Sequence, residues 1–428
     1  LHEPSTTKAV ETGISTGYDA AVEKTDDGGV VQRYLTAEVP GTGGIIKNSP
    51  EDFIVEEVPA YQPSGQGEHC FATIEKRGIT TLETLRRIAK TLGVQERDIG
   101  YAGMKDAVGI TRQTISIPRV APEKVLALEI PGVKVLAAVK HGNKLRLGHL
   151  KGNRFEIRVR DVAPGALTNA EAALKVLVGR GVPNRFGAQR YGVQGNTHDI
   201  GAAMLRRDFQ AAIDILIGDP EQVSDERWRE AISAYRTGDL AGSLALYPGH
   251  FRVERELLSR LQQRPDAFER AFHAVQPRMK RLYLSAFQSS LFDAVLEQRL
   301  ETFDRIEVGD VAFKHENGAC FLVQDAAAEA PRALSFEISP TGPMFGCTMM
   351  EAQGLQGELE ARILTAEGLT PESFNLTGGL RMEGERRPLR VPLSSASVRE
   401  EGKDLLFDFS LPRGAYATCV LSEIMKDH

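Results

Sequence analysis

The texture of the chain changes twice along its length, and that change limits the possible folds more than any other feature. From residue 37 to about 192, short segments with strand-like alternation dominate, at 53–58, 70–75, 111–117, 133–139 and 153–160. Two helices are set among them. One is expected at 81–92, where Thr80 and Glu83 form a capping box, Leu82, Leu85, Ile88, Ala89 and Leu92 share a face, and Gly93 closes the last turn; the other spans 169–177. After Asn196 helical periodicity takes over at 199–217, 226–235, 252–273 and 286–303. In the last of these Ser285 and Gln288 form a capping box and Phe287, Leu291, Val295 and Leu296 line one stripe. A strand-like section at 308–349 and a helix at 351–366 follow, and strand texture returns at 386–392 and 405–411. A chain of 428 residues exceeds what one core supports, so the return reads as a second domain inserted into the first. The fold class is α+β, with 37–192 and 385–428 forming one domain, 193–384 the insert, and 1–36 an acidic arm, poorly ordered or peripherally docked.

Composition narrows the partners. No run of about 18 apolar residues is present, the first forty positions lack an apolar signal core, and the protein is expected in the cytoplasm. Four scattered cysteines, at 70, 320, 347 and 419, form no Cys-x-x-Cys pair and are expected to be reduced and buried. Net charge is −6, which argues against a polyanionic partner until its distribution is considered. Between Lys134 and Arg160 stand eight Lys/Arg against one acid, Glu156. Lys144, Arg146, Lys151 and Arg154 of this run are candidates for contact with an RNA backbone, against the alternative of a solvated sheet face. No metal-spaced His/Cys cluster, phosphate loop or dinucleotide fingerprint occurs, so no metal and no cofactor are expected.

Two glycine-punctuated segments flank that basic run. GYAGMKDAVGITRQ (Gly100 to Gln113) places one carboxylate, Asp106, directly after Lys105 in a loop held by Gly103 and Gly109. PNRFGAQRYGVQGN (Pro183 to Asn196) offers Asn184, Phe186, Gln189, Arg190 and Tyr191 between glycines, groups suited to holding a planar base. An acid beside a base cradle points to chemistry on nucleic acid, although an Asp in a glycine-rich turn is by itself more often a turn former.

Both segments resemble the TruD family of tRNA pseudouridine synthases, whose motifs read approximately Gly-x-Lys-Asp-x-x-Ala-x-Thr-x-Gln and Asn-x-Phe-Gly-x-Gln-Arg-Phe-Gly. GTGGIIKNSPEDFIVEE (Gly41 to Glu57), KLRLGHLKGNRFEI (Lys144 to Ile157), LSAFQSSLF (Leu284 to Phe292) and LPRGAYATCVLSEIM (Leu411 to Met425) follow in the family's order. Gly109 stands where the family usually has Ala, and Tyr191 where it often has Phe. The resemblance implies the pseudouridine synthase fold, a mixed, largely antiparallel sheet with flanking helices interrupted by the TRUD insertion domain. It also implies a cofactor-independent isomerase that acts on tRNA, at uridine 13, with no obligate protein partner.

Asp106 is then the catalytic residue, as nucleophile at C1′ or as the base that takes the 2′ proton. A desolvated carboxylate stays charged only beside a cation or donors. Lys47 is favoured over Lys105 for that task because neighbouring side chains along a strand or loop tend to point apart; Lys105 is then left to meet phosphate and Glu51 to orient Lys47. Phe53, Phe186 and Tyr416 are expected to stack on the flipped base, Asn184 to read the uracil edge or hold a sugar hydroxyl, and Arg190 to bind phosphate. The alternatives are a non-catalytic RNA-binding or RNA-folding protein that uses the same basic face, and, less well supported, a hydrolase that uses Asp106 with water.

Overall fold

The computed structural model describes residues 33–426 except Asp106 and Val193. Residues 1–32 of the acidic arm therefore lie outside the described residues, and so does the expected catalytic residue Asp106.

The first half of the chain supplies β1 (Phe53–Pro59), β2 (His69–Arg77), α1 (Thr81–Leu92), β3 (Gly100–Tyr101), β4 (Ile110–Pro118), α2 (Pro122–Leu126), β5 (Val133–His141), β6 (Leu150–Val159) and α3 (Ala166–Arg180). α1 has the expected bounds. Thr80 Oγ1 accepts from the Glu83 N–H at 3.2 Å and Gly93 takes the left-handed conformation, but the Glu83 carboxylate turns to Arg86 and Arg87 rather than back to the cap. After β7 (Val182–Pro183) come α4 (Thr197–Leu205), α5 (Phe209–Ile217), α6 (Glu226–Arg236), α7 (Leu240–Leu246), α8 (Arg252–Gln263), α9 (Phe268–Phe272) and α10 (Pro277–Arg299). The middle of the chain continues with β8 (Val311–Lys314), β9 (Cys320–Leu322), α11 (Ala326–Leu334), β10 (Ile338–Met344), α12 (Gly354–Ala366) and β11 (Glu385–Pro388). The chain closes with β12 (Arg390–Val391), β13 (Ser394–Glu401), β14 (Asp404–Pro412) and α13 (Ala417–Met425).

Seven strands run in the order β13-β14-β6-β1-β4-β2-β5, and β3 pairs with β4 off this path. Only β1 and β4 pair in parallel; every other ladder of this sheet is antiparallel. Its strands alternate buried and exposed residues, as expected of a sheet with one face packed and the other open. Helices α3 and α13 cover the β6–β14 end, where Phe407 and Phe409 are fully buried, each side chain contributing about 1.5–3 kcal/mol of burial. Helix α1 covers the β2–β4 end. β1 and the adjoining parts of β4 and β6 lie between these two cores.

The segment between β7 and β12 is closed off at its two ends by one narrow ladder, a two-stranded sheet separate from the large one. β7 pairs antiparallel with β12, Val182 opposite Val391 and Pro183 opposite Arg390, so the chain leaves and re-enters side by side. Between them lie a helical core centred on α4 and α10 and a sheet ordered β11-β10-β8-β9. At Gly201 a Cβ would stand 2.2 Å from the Tyr283 carbonyl oxygen, so α4 needs glycine to approach α10 this closely.

Several expected elements are corrected. The 199–217 helix is two helices, broken where Arg207 has positive φ and Asp208 caps α5; the 252–273 helix is likewise α8 and α9. α10 begins at Pro277, not after Ser285. Pro is preorganised for a first helical position, and Ser285 and Gln288 lie inside the helix, Gln288 donating to the Phe345 carbonyl. The 308–349 section contains α11, capped by Asp325. Cys70 and Cys419 are buried, but Cys320 and Cys347 are partly exposed. Among the described residues no helix is long and apolar enough to cross a membrane.

Candidate active site

A cleft of about 660 Å³ opens between the large sheet and β11, with the segment after β14 at its edge. Phe53 and Val55 of β1, Thr111 of β4 and Asn153 and Phe155 of β6 line it from the sheet. Pairing sets this face: Val55 stands opposite both Thr111 and Phe155, and Glu57 opposite Asn153. The loop that carries Gly103, Met104 and Lys105 forms a second wall, and Arg387 of β11 and Tyr416 of the C-terminal segment face it.

Buried polar bonds fix that loop. Thr81 Oγ1 accepts from the Lys105 N–H at 2.9 Å and donates to Gln113 Oε1 at 3.0 Å, and Gln113 Nε2 donates to the Gly103 carbonyl at 3.4 Å. Gly109 has φ +124°, and a Cβ there would stand 2.4 Å from the Phe53 carbonyl oxygen. Alanine, usual at this position in the resembled family, would force the loop to shift.

Lys105 does not point to solvent. Its Nζ donates to Asn153 Oδ1 and lies 3.6 Å from Glu57 Oε2, with side-chain exposures of 7% for Lys105 and 1% for Glu57. Burial lowers the Lys105 pKa and raises that of Glu57, while the partner charge opposes each shift. The expectation that Lys105 meets phosphate is thereby replaced by a buried pair beneath the cleft. Lys47 lines the cleft with Nζ 4.6 Å from the Phe53 ring centroid. Glu51 pairs with Arg77, both about half exposed. Phe53 is 5% exposed and packs edge-on against Phe155, so it serves the core while it also lines the cleft.

The second segment is bound mainly to α10 and β11. Asp293 of α10 accepts the Phe186 N–H at 3.1 Å and the Tyr191 hydroxyl at 2.6 Å, and its pKa is raised to about 6 by burial, against those two bonds and the charges of Arg185 and Arg387. Arg190 donates to Ser289 Oγ at 3.0 Å and to Ser285 Oγ, so its guanidinium is occupied by α10 rather than held for phosphate. Asn184, 4% exposed, donates to the Pro388 carbonyl at 2.8 Å and accepts from Arg387 Nη2 at 2.7 Å, and is not among the residues that line the cleft. Phe186 also stands back from it. Arg387 lies 4.3 Å from its ring centroid, Phe292 meets it edge-on at 5.8 Å and Tyr416 lies 6.3 Å away. Of this segment, Gln189 reaches the cleft.

The basic run is partly neutralised within the fold. Arg154 is paired with Asp408, Arg158 with Glu401 and Asp404, and Arg160 with Asp52, whose carboxyl the Arg160 bond holds below the usual range. Arg154 thus has its counter-charge in the fold. Lys144 donates to the Arg97 carbonyl at 2.7 Å, whereas Arg146 and Lys151 are exposed. Arg387 escaped sequence reasoning. Its only signal was two adjacent arginines where the chain returns, and nothing in that pattern tells which arginine is paired.

Comparison with known proteins agrees along nearly the whole chain. The family model described as tRNA pseudouridine synthase D (TruD) matches residues 30–424. Proteins named tRNA pseudouridine synthase D are similar to this chain at 79% identity in Geobacter sp. (strain M21), over 92% of this chain and 99% of the relative, and at 64% in Geobacter sulfurreducens, over 92% and 97%. A crystal structure of a TruD protein from Methanosarcina mazei superposes with a TM-score of 0.81 at 27% identity, covering 93% of this chain and 97% of that one.

Proposed function

This chain belongs to the tRNA pseudouridine synthase D (TruD) family, and on that premise we propose that it isomerises uridine 13 of tRNA, with Asp106 as the reacting carboxylate. The enzyme class is that of its relatives, a tRNA pseudouridine synthase, an isomerase. The reaction breaks the N1–C1′ bond of uridine and rejoins the ring through C5, so it needs a carboxylate, a pocket for one extruded nucleotide and room for the base to turn. Extrusion costs a few kcal/mol, and stacking on aromatic rings returns about 1–3 kcal/mol per base.

One observation carries this reading: Lys105, the residue before Asp106, lines the same cleft as Phe53, Lys47, Tyr416 and Arg387. In the proposed arrangement Phe53 and Tyr416 offer ring surface to the uracil. Lys47 supplies the positive charge that keeps a carboxylate in the cleft ionised. Lys105 and Glu57 hold the loop from below. Phe186, Asn184 and Arg190 act one layer further back, through Arg387 and α10. The exposed bases Arg146 and Lys151 contact RNA phosphates, and residues 193–384 form the inserted domain. A tRNA substrate goes with a cytoplasmic location.

The test is carbodiimide mapping of pseudouridine by primer extension on unmodified tRNA incubated with the protein. A stop diagnostic of position 13 that vanishes when uridine 13 is replaced by cytidine supports the reading. A stop elsewhere overturns the position, and binding without any stop favours a non-catalytic RNA-binding protein.

A further inference from the structure

Three buried arginines of this fold carry a carboxylate, and a fourth, Arg390, has each of its three nitrogens met, by the Ser339 hydroxyl and the Arg180 and Ala333 carbonyls. Arg185 is paired with Glu297, Arg299 with Asp310, and Arg386 with Glu360. Arg387, the next residue after Arg386 and only partly buried, makes no direct ion pair among the described residues, and Asp293 acts on it at longer range. Its Nε and Nη2 are spent on neutral acceptors, the Asn184 carbonyl at 3.4 and 3.2 Å, Asn184 Oδ1 at 2.7 Å and the Gly414 carbonyl at 3.2 Å. Nη1 makes no hydrogen bond within the described chain. The ring of Phe186 at 4.3 Å and that of Phe292 at 5.4 Å hold the guanidinium in place. A charge this well positioned and partly desolvated is costly unless an anion arrives to meet it.

Other groups around the cleft are incomplete in the same sense. Thr111, 1% exposed, lines the cleft with its Oγ1 buried and without a hydrogen-bond partner among the described residues. Thr418, itself partly buried, lines it too, and its Oγ1 is likewise withdrawn from water and unpartnered among the described residues. Thr418 lies in the first turn of α13, and Tyr416 at the N-cap gives that helix no side-chain cap, so partial positive charge from the helix end joins that of Arg387. Arg413, also in the lining, donates to the Gly148 carbonyl and has no carboxylate partner among the described residues.

We propose that Arg387, with Thr418 and the N-terminus of α13, forms a phosphate subsite that grips one phosphodiester beside the extruded nucleotide and so sets its depth in the cleft. A neutral base edge would leave the arginine's charge unanswered. A phosphodiester supplies the anion together with the paired oxygens that a guanidinium fork matches. The inference rests on the tRNA reading above.

The test uses the full-length protein and synthetic tRNAs in which the linkages on either side of the target uridine are replaced, one at a time, by uncharged methylphosphonates. Equilibrium binding is measured for the wild type, Arg387→Gln and Thr418→Val. For the wild type one linkage should stand out, its neutralisation weakening binding about 10- to 100-fold. Arg387→Gln should lose a similar factor on the all-phosphate tRNA and nothing further at that linkage, while still losing at linkages held by other residues. Thr418→Val should show a smaller loss with the same non-additivity, and it decides the matter if Arg387→Gln melts before assay temperature. Losses that multiply at every linkage, or no effect of any flanking linkage on wild-type binding, would overturn the proposal. Wild-type turnover of the all-phosphate tRNA, measured in parallel, reports separately on the activity, since the subsite is read from binding.

Discussion

Lys105 Nζ lies 3.6 Å from Glu57 Oε2, and the two side chains are almost wholly withdrawn from water beneath the cleft. The pair is held by its members' mutual charge, because burial alone pushes both toward their neutral forms. Removing either partner leaves an uncompensated buried charge, so Glu57→Gln and Lys105→Met should each cost about 3–5 kcal/mol in urea unfolding, and the double variant clearly less than their sum. Single losses below about 1 kcal/mol would show that the pair does not hold the loop.

Asp293 links stability to pH. Its folded pKa is raised from 3.8 to about 6, so between those values the folded chain holds a proton that the unfolded chain has released. Stability contributed by this group is therefore present in acid and is lost as pH rises through about 6. Asp293→Asn keeps one acceptor and cannot ionise. Its stability relative to wild type should rise between pH 4 and pH 7, measured by urea unfolding at each pH. A difference that stays flat would mean that the bonds from Tyr191 and Phe186 offset burial.

The large sheet was largely legible in the sequence because its strands obey period-two alternation and α1 carries its own start and stop signals, Thr80 and Gly93. The helical insert was legible in kind but not in bounds. A three-residue break at Arg206, Arg207 and Asp208 leaves no mark in the hydrophobic pattern, and the Ser285 and Gln288 pair inside α10 imitates a cap that Pro277 makes unnecessary. For the site, four of the residues that the family resemblance implied, Lys47, Phe53, Lys105 and Tyr416, line one cleft. The resemblance could not tell side chains that face the cleft from those that brace it. Asn184, Phe186 and Arg190 belong to one segment, yet their partners Arg387, Asp293 and Ser289 lie about a hundred or two hundred residues away in sequence and only the fold brings them together.

Phe186→Leu separates bracing from stacking on substrate. An apolar replacement keeps most of the packing against Phe292, so stability should fall by less than about 1.5 kcal/mol. The cation–π support of Arg387, about 0.5–2 kcal/mol, is removed, and turnover should drop about 3- to 30-fold. Phe186→Tyr should retain most of it. Unchanged turnover in Phe186→Leu with a normal melting temperature would remove Phe186 from the site.

Salt dependence distinguishes exposed bases from paired ones. Replacing Lys144, Arg146 and Lys151 together by alanine should flatten the slope of log affinity against log salt by about 0.7–0.9 for each phosphate that the protein no longer neutralises. Arg154→Ala should leave that slope unchanged, because Asp408 already neutralises Arg154. An equal effect of Arg154→Ala would mean that the pair opens when RNA binds.

Tritium release from tRNA labelled at uridine C5 tests the central claim most directly, since every C5 glycosylation of uracil must expel that hydrogen. Wild-type protein with no added metal or nucleotide should release it, and Asp106→Asn, nearly isosteric but unable to serve as nucleophile or base, should bind the same tRNA and release none above background. Turnover by Asp106→Asn comparable to wild type would contradict the assignment of the reacting carboxylate.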